Sequence, residues 1–94
     1  MDSAVSFGGY DPLFDDPWYV YLLSCADGTC YVGCTSNLKE RLHRHRQGWV
    51  LSTKARLPMR LQMYHVFDNK HQAYRYEKYL KSGSGRAFLN RHLK

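Results

Sequence analysis

"WYVYLLSCADGTCYVGC", residues 18–34, is the stretch that decides the fold of this chain. The runs WYVYLLSC (18–25) and CYVGC (30–34) are rich in aromatic, β-branched and aliphatic residues, which is typical of strands, and the ADGT between them suits a hairpin turn. The sequence therefore predicts an antiparallel hairpin at the start of the folded domain. Before it, residues 1–17 are rich in Gly, Asp and Pro and predict an acidic, flexible tail.

The geometry of the turn decides whether the two hairpin tyrosines, Tyr21 and Tyr31, share a face of the sheet. A two-residue turn at Asp27 and Gly28 places their side chains on opposite faces. A three-residue loop, with Gly28 left-handed as a bulge, pairs Tyr21 with Gly33 and brings both rings to one face. Gly33 would then leave room beside Tyr21. The sequence leaves both turns open, and ordinary sheet packing also explains a tyrosine in a strand.

The segments that follow are bounded by helix caps and chain breakers. They are, in chain order, a helix that Ser36 or Asn37 caps and that ends near Gly48, a strand at 60–68, a helix from about Lys70 to Lys81 and, after a GSG break at 83–85, a short helix at 86–94. The order β-β-α-β-α-α predicts an α+β fold, with a small three-stranded, mainly antiparallel sheet flanked by helices. We expect one such domain over residues 18–94.

The charge of the chain points to a polyanionic partner. Four of its 8 acidic residues lie in the first 17 residues, so the 14 Lys and Arg face only four acids in residues 18–94, a net charge of +10. This favours binding to nucleic acid, although an acidic membrane surface or a partnerless basic surface fits the same composition. No apolar run approaches the ~20 residues of a membrane span, and the N-terminus does not resemble a signal peptide. We therefore expect a cytoplasmic protein.

The three cysteines have the spacing C-x4-C-x3-C, which fits neither a common zinc pattern nor a disulfide framework. We expect Cys25, Cys30 and Cys34 to be reduced and to lie on strands. A zinc site completed by His43 or His45 is the alternative.

Polar residues fall on the inward stripe of the first predicted helix. The spacing of Leu38, Leu42 and Trp49 marks that stripe, and Arg41 and His45 lie on it. Inward polar groups are costly in a small core unless they are used or satisfied. The two residues are therefore candidates for a functional site.

The second predicted helix carries a carboxylate in the same way. Ala73, Tyr76 and Leu80 form its apolar stripe, and Glu77 lies on that stripe. Two explanations stay open at this point. Arg41 and Glu77 either form a buried ion pair that helps to specify the fold, or both belong to a site.

Taken together, these residues resemble the GIY-YIG nuclease family. The motifs are, in chain order, YVY at 19–21, YVG ten residues on, Arg41, His45 and Glu77. The resemblance covers about residues 18–92, and the segments STKARLP and EKYLKSGSGRAFLNRHL are similar to the small, single-domain bacterial branch. The chain departs from the family pattern in having Tyr19 for the first Gly and Val in the middle of both motifs.

The resemblance implies a metal-dependent DNA endonuclease that hydrolyses phosphodiester bonds. It implies that Tyr21 or Tyr31 activates the attacking water. Arg41 would bind the scissile phosphate and His45 would lie near the nucleophile. Glu77 would be the single carboxylate that binds Mg²⁺ or Mn²⁺. Because the pKa of a free tyrosine is near 10, either tyrosine needs a neighbouring cation, the metal or a relay through His45 to act near pH 7.

Basic residues outside this group are expected to hold the DNA backbone. They are Lys39, Lys54, Arg56, Lys81 and Arg86. Phosphate contacts position a nucleic acid without reading its sequence, so we expect low sequence specificity on single-stranded, branched or repair-intermediate DNA. The alternative is a non-catalytic nucleic-acid-binding module with the same fold. The sequence indicates neither a membrane partner nor an obligate protein partner.

Overall fold

A computed structural model describes residues 17–93, so the predicted tail lies, apart from Pro17, outside the described residues. The elements are, in chain order, β1 (Trp18–Cys25), β2 (Cys30–Thr35), α1 (Leu38–Arg46), a 3₁₀ turn (Lys54–Arg56), β3 (Met59–Phe67), α2 (Lys70–Lys81) and α3 (Gly83–Leu93). The strands form an antiparallel sheet in the order β2-β1-β3. The predicted element order and α+β class are confirmed.

The hairpin closes through a three-residue loop. The Cys25 N–H donates to the Thr29 carbonyl at 2.9 Å, and Gly28 has a left-handed φ of 86°. Tyr21 therefore pairs with Gly33, and the ring centroids of Tyr21 and Tyr31 lie 6.3 Å apart on one face. A Cβ at residue 33 would overlap the Tyr21 phenol. Of the two turns that the sequence allowed, the structure has the one that brings both tyrosines together.

The apolar core lies between the sheet and the helices α2 and α3. Its buried residues are Val20, Leu22, Val32, Ala73, Leu80 and Leu89. β1 is the central strand of the sheet. Because alternate residues of a strand point to opposite faces, Tyr21 projects away from this core, on the side where it contacts α1 through His45.

The end of α1 corrects one prediction. The Asn37 side chain accepts a hydrogen bond from the Glu40 N–H at 3.1 Å and caps the start of the helix, as expected. The helix ends at Arg46, and Gly48 is left-handed with a φ of 77°. The chain therefore leaves the helical path before Trp49, which is 62% exposed. Its assignment to the buried stripe was wrong.

The predicted break at residues 83–85 was also wrong, because α3 begins at Gly83. The Ser82 hydroxyl accepts from the Gly85 N–H at 3.3 Å and caps the new helix, while the Ser82 carbonyl accepts from the Arg86 N–H at 2.9 Å. A Cβ at residue 85 would overlap the backbone at the end of α2. Gly85 therefore serves the close packing of two helix ends.

Cys25, Cys30 and Cys34 lie on strands as free thiols. Over residues 17–93, no three His, Cys, Asp or Glu side chains group as metal ligands, so the alternative of a zinc site has no ligand set there. Within the same range no helix has the length and apolar character needed to cross a membrane.

Candidate active site

A buried tyrosine and a buried histidine form the centre of the site. Tyr21 from β1 and His45 from α1 are each 1% exposed, and the Tyr21 hydroxyl lies 2.9 Å from His45 Nε2. The other ring nitrogen, Nδ1, lies 2.8 Å from the Thr53 hydroxyl. The inward direction predicted for His45 is thus observed, and the imidazole is satisfied on both sides.

Arg41 lies one helical turn before His45 and is half-buried. Its interaction with the Tyr21 phenol raises the pKa of Arg41. Its Nε is buried without a hydrogen-bond partner. Buried donors are rarely left unpaired in folded proteins; in the described residues Arg44 Nε, one turn away, is unpaired in the same way.

Arg41 and Glu77 do not form the buried ion pair that the sequence left open. In the described part of the chain, the Glu77 carboxylate pairs instead with Lys81, one turn further along α2, at 3.0 Å. The explanation that reduced both residues to a structural pair is therefore wrong.

Burial keeps both members of the central pair neutral near pH 7. It raises the pKa of Tyr21 to about 12, although the Arg41 guanidinium opposes the shift. Burial and the Arg41 charge lower the pKa of His45. A free phenolate at Tyr21 would then form in only about one molecule in 10⁵ at pH 7. Any proton transfer at this site must start from a neutral phenol and a neutral imidazole.

Tyr31 lies beside this pair and nearer to solvent. Its ring is half-buried, and its centroid is 5.2 Å from that of His45. The Arg56 guanidinium carbon lies 6.0 Å from the centroid of the Tyr31 ring. Arg56 is itself held by hydrogen bonds to the Thr29 hydroxyl at 3.0 Å and the Ser52 carbonyl at 2.9 Å. Tyr31 is thus the tyrosine that borders open space, whereas Tyr21 is enclosed.

Glu77 reaches the site from the opposite side of the sheet. Its helix packs on the face formed by Val20 and Leu22, yet its charge contributes to raising the pKa of Tyr21 and of Cys34. The edge strand β2 carries Gly33 here, which presents no side chain. In the described residues the ion-pair partner of Glu77 is Lys81, and its action on the Tyr21 phenol is electrostatic, from the far side of the sheet.

A cleft of about 510 Å³ runs beside Tyr31 along the same edge. Three of the five predicted backbone-binding residues, Arg56, Lys81 and Arg86, line it together with Asn90, while Val32, Leu80 and Leu89 supply apolar lining. Lys39 and Lys54 are exposed and lie outside the lining of this cleft. Charge and apolar surface together suit a strand that presents phosphates and bases.

Sequence reasoning missed Thr53, which is fully buried and hydrogen-bonded to His45. The residue lies in the loop before the 3₁₀ turn, where no periodicity distinguishes inward from outward positions. Its signal was only indirect: it falls within STKARLP, a segment already noted as similar to family members.

Comparisons with known proteins identify the family of the chain. The family model described as GIY-YIG catalytic domain matches residues 17–91. A UPF0213 protein of Streptococcus agalactiae is 40% identical over 74 residues, which are 78% of this chain and 84% of the relative. Another UPF0213 protein, from Streptococcus pyogenes, is 43% identical over 70 residues, 73% of this chain and 76% of the relative. The solution NMR structure of a Bacillus halodurans UPF0213 protein matches with 33% identity and a TM-score of 0.51, covering 80% of this chain and 83% of its own. The chain described here belongs to the GIY-YIG nuclease family.

Proposed function

We propose that this protein is a metal-dependent DNA endonuclease of low sequence specificity and that residues 18–94 are its catalytic domain. The observation that carries the proposal is the buried contact of the Tyr21 hydroxyl with His45 at 2.9 Å, where the charges of Arg41 and Glu77 act on the same phenol; the neighbouring Tyr31 borders a basic cleft. Tyr21 lies on a strand and His45 on a helix, and apolar packing alone gives no reason to bury these two polar groups against each other.

The hydrogen-bonded pair of Tyr21 and His45 provides a route for the proton of the attacking water. Once the attacking water reaches the Tyr21 oxygen, which is enclosed in the described structure, that oxygen takes a proton from the water while its own proton passes to His45 Nε2, 2.9 Å away. The water oxygen then bonds to phosphorus, the bond to the leaving oxygen breaks, and that oxygen takes a proton from solvent. Neither group has to ionise before this transfer, and the lowered pKa of His45 determines how readily the imidazole takes the proton.

Tyr31 is the alternative proton acceptor, because it borders the cleft. Tyr21 is favoured because the charges of both Arg41 and Glu77 act on its hydroxyl. The variants Tyr21→Phe and Tyr31→Phe separate the two assignments, since the acceptor should be the one whose loss lowers the rate of the chemical step more.

Arg41 is suited to the scissile phosphate. A guanidinium contacts two oxygens of one phosphate at once, and the buried Nε of Arg41 is unpartnered in the described structure. Charge that builds on the non-bridging oxygens in the transition state would strengthen these contacts.

The donor set at the edge of the sheet fits a hard divalent cation such as Mg²⁺ or Mn²⁺. Glu77 would hold it, because it is the half-buried carboxylate whose charge reaches Tyr21. Mg²⁺ keeps most of its waters and needs few protein ligands, so one carboxylate together with substrate oxygens suffices. When bound, such a cation supplies Lewis-acid stabilisation of phosphoryl and leaving oxygens.

The cleft favours DNA with accessible single strands over an intact duplex. Its volume of about 510 Å³ accommodates part of one strand, and Arg56, Lys81 and Arg86 on its lining would contact phosphates without reading bases. Single-stranded, branched and repair-intermediate DNA are therefore the proposed substrates. Lys39 and Lys54 would add contacts further from the cleft.

The test is cleavage of labelled single-stranded, duplex, flap and junction DNA with Mg²⁺, with Mn²⁺ or with EDTA. We expect metal-dependent cutting that falls by about 10²-fold or more in Glu77→Gln. Glu40→Gln is the matched control, because it removes the same charge from an exposed helix position, where the carboxylate pairs with Arg44 at 3.9 Å. Salt-sensitive binding without cutting in either metal would instead support the non-catalytic binding module.

A further inference from the structure

The hydrogen bonds around His45 extend beyond the tyrosine to a buried threonine. Thr53 is fully buried, and its hydroxyl lies 2.8 Å from His45 Nδ1 and 3.4 Å from the Val50 carbonyl. Its backbone N–H also donates to the Val50 carbonyl at 3.0 Å. The loop between α1 and the 3₁₀ turn therefore holds this hydroxyl against the back of the imidazole.

The partners of Tyr21 decide which imidazole nitrogen carries the hydrogen. The Tyr21 hydroxyl hydrogen needs an acceptor, and His45 Nε2 lies 2.9 Å from the phenol oxygen. A neutral imidazole that accepts at Nε2 carries its hydrogen on Nδ1, which then donates to Thr53.

We propose that Thr53 is a positioning residue that fixes the tautomer and ring orientation of His45, so that Nε2 stays free to receive the Tyr21 proton. Its own hydroxyl hydrogen is directed to the Val50 carbonyl, which leaves an oxygen lone pair for Nδ1–H. The role rests on the proposed function, since it serves the proton route from Tyr21 to His45. Thr53 is enclosed, so it acts on DNA only through His45.

The tautomer is measured directly by the ¹⁵N chemical shifts of the His45 ring, assigned by their loss in His45→Gln. In the wild type we expect a protonated Nδ1 and an unprotonated Nε2. Thr53→Val keeps the shape of the side chain but removes the hydroxyl, and should shift the ring toward a mixture of tautomers; Thr53→Ser should keep the wild-type pattern. A protonated Nε2 in the wild type overturns the proposal, even if Thr53→Val fails to fold.

The second measurement is cleavage kinetics on the DNA that the wild type cuts best. Thr53→Val should lower kcat by about tenfold or more with KM little changed, because a wrong tautomer removes the proton acceptor but no DNA contact. Thr53→Ser should restore kcat to within about threefold of the wild type, and Ser52→Ala, which removes an exposed neighbouring hydroxyl, should change nothing.

The outcomes separate this proposal from the proposed function. Full cleavage by a folded Thr53→Val overturns the positioning role while leaving the nuclease intact. If the wild type cuts none of the DNAs, the proposed function fails. The ¹⁵N shifts still test whether Thr53 fixes the tautomer of His45. A protonated Nδ1 that is lost in Thr53→Val supports this role, and shifts that stay unchanged overturn it.

Discussion

The two faces of the central strand β1 bury different kinds of side chain, apolar on one face and polar on the other. On one face, Val20 and Leu22 pack into the apolar core under α2 and α3. On the other, Tyr21 enters a buried chain of hydrogen bonds with His45 and Thr53. Adjacent residues of one strand thus serve the stability of the fold and the candidate chemistry. Substitutions on the two faces should therefore have separable effects.

The largest contrast between an effect on cleavage and an effect on stability is expected between Arg41→Gln and Leu22→Ala. Arg41→Gln removes a guanidinium that has an unpartnered Nε and no ion pair in the described structure, so the thermal midpoint should stay near that of the wild type. Cleavage should fall by about 10²–10³-fold, the usual cost of losing one transition-state donor. Single-turnover cleavage measures the loss of rate, and thermal unfolding measures the midpoint.

Leu22→Ala is the converse control on the apolar face. Leu22 is fully buried, and its truncation should lower the free energy of unfolding by about 2–5 kcal/mol. The rate per folded molecule should change little. A folded Arg41→Gln that cuts at the wild-type rate would remove the chemical distinction between the two faces.

The helical part of this arrangement could be predicted from the sequence. Arg41 and His45 are four residues apart, and Glu77 lies among the apolar positions of α2, so the period of the helix alone places all three inward. The same rule failed at Trp49, because it assumes a helix that continues, and α1 ends at Arg46.

The non-helical part of the site could not be predicted in the same way. Two loop lengths fit ADGT, and only the three-residue loop places Tyr21 and Tyr31 on one face. Thr53 lies in a loop, where no period exists. The convergence of Arg56 on the cleft from a separate segment depends on tertiary packing, and an exposed basic residue carries no sequence signal of its direction.

A smaller effect on stability and cleavage is expected at the position where the Tyr21 ring passes over β2. Gly33→Ala adds a methyl group that would overlap the Tyr21 phenol, so the ring must move away from His45. We expect a loss of about 1–3 kcal/mol in the free energy of unfolding, as for other overpacked interiors, and slower cleavage by the folded variant. Urea denaturation and cleavage assays measure the two effects.

The matched control for Gly33→Ala is Gly83→Ala. A Cβ at Gly83 meets no atom within 4 Å, and alanine favours the first turn of α3. Stability should stay equal or rise slightly. If Gly33→Ala behaves like this control, the phenol has room to move, and the contact between β1 and β2 does not fix the position of Tyr21.

The smallest effect is the pH dependence that the buried imidazole imposes on stability. His45 is surrounded by Tyr21, Tyr31, Arg41 and Thr53, and burial and the Arg41 charge lower its pKa from the usual 6.5. As the pH falls through about 6.5, His45 becomes protonated in the unfolded chain while it stays neutral in the folded protein. The contribution of the neutral imidazole is therefore complete above that pH and is lost below it, by up to about 1.4 kcal/mol per pH unit.

Urea unfolding of the wild type and of His45→Gln between about pH 7.5 and 5 isolates this contribution, and the wild type should lose the extra stability. The exposed His43, replaced in His43→Gln, is the control and should leave the wild-type slope unchanged. Equal slopes for the wild type and His45→Gln would mean that the folded imidazole is protonated as readily as the unfolded one. A charged imidazole has no lone pair for the Tyr21 hydroxyl, so this inexpensive measurement also tests the first condition of the proton route.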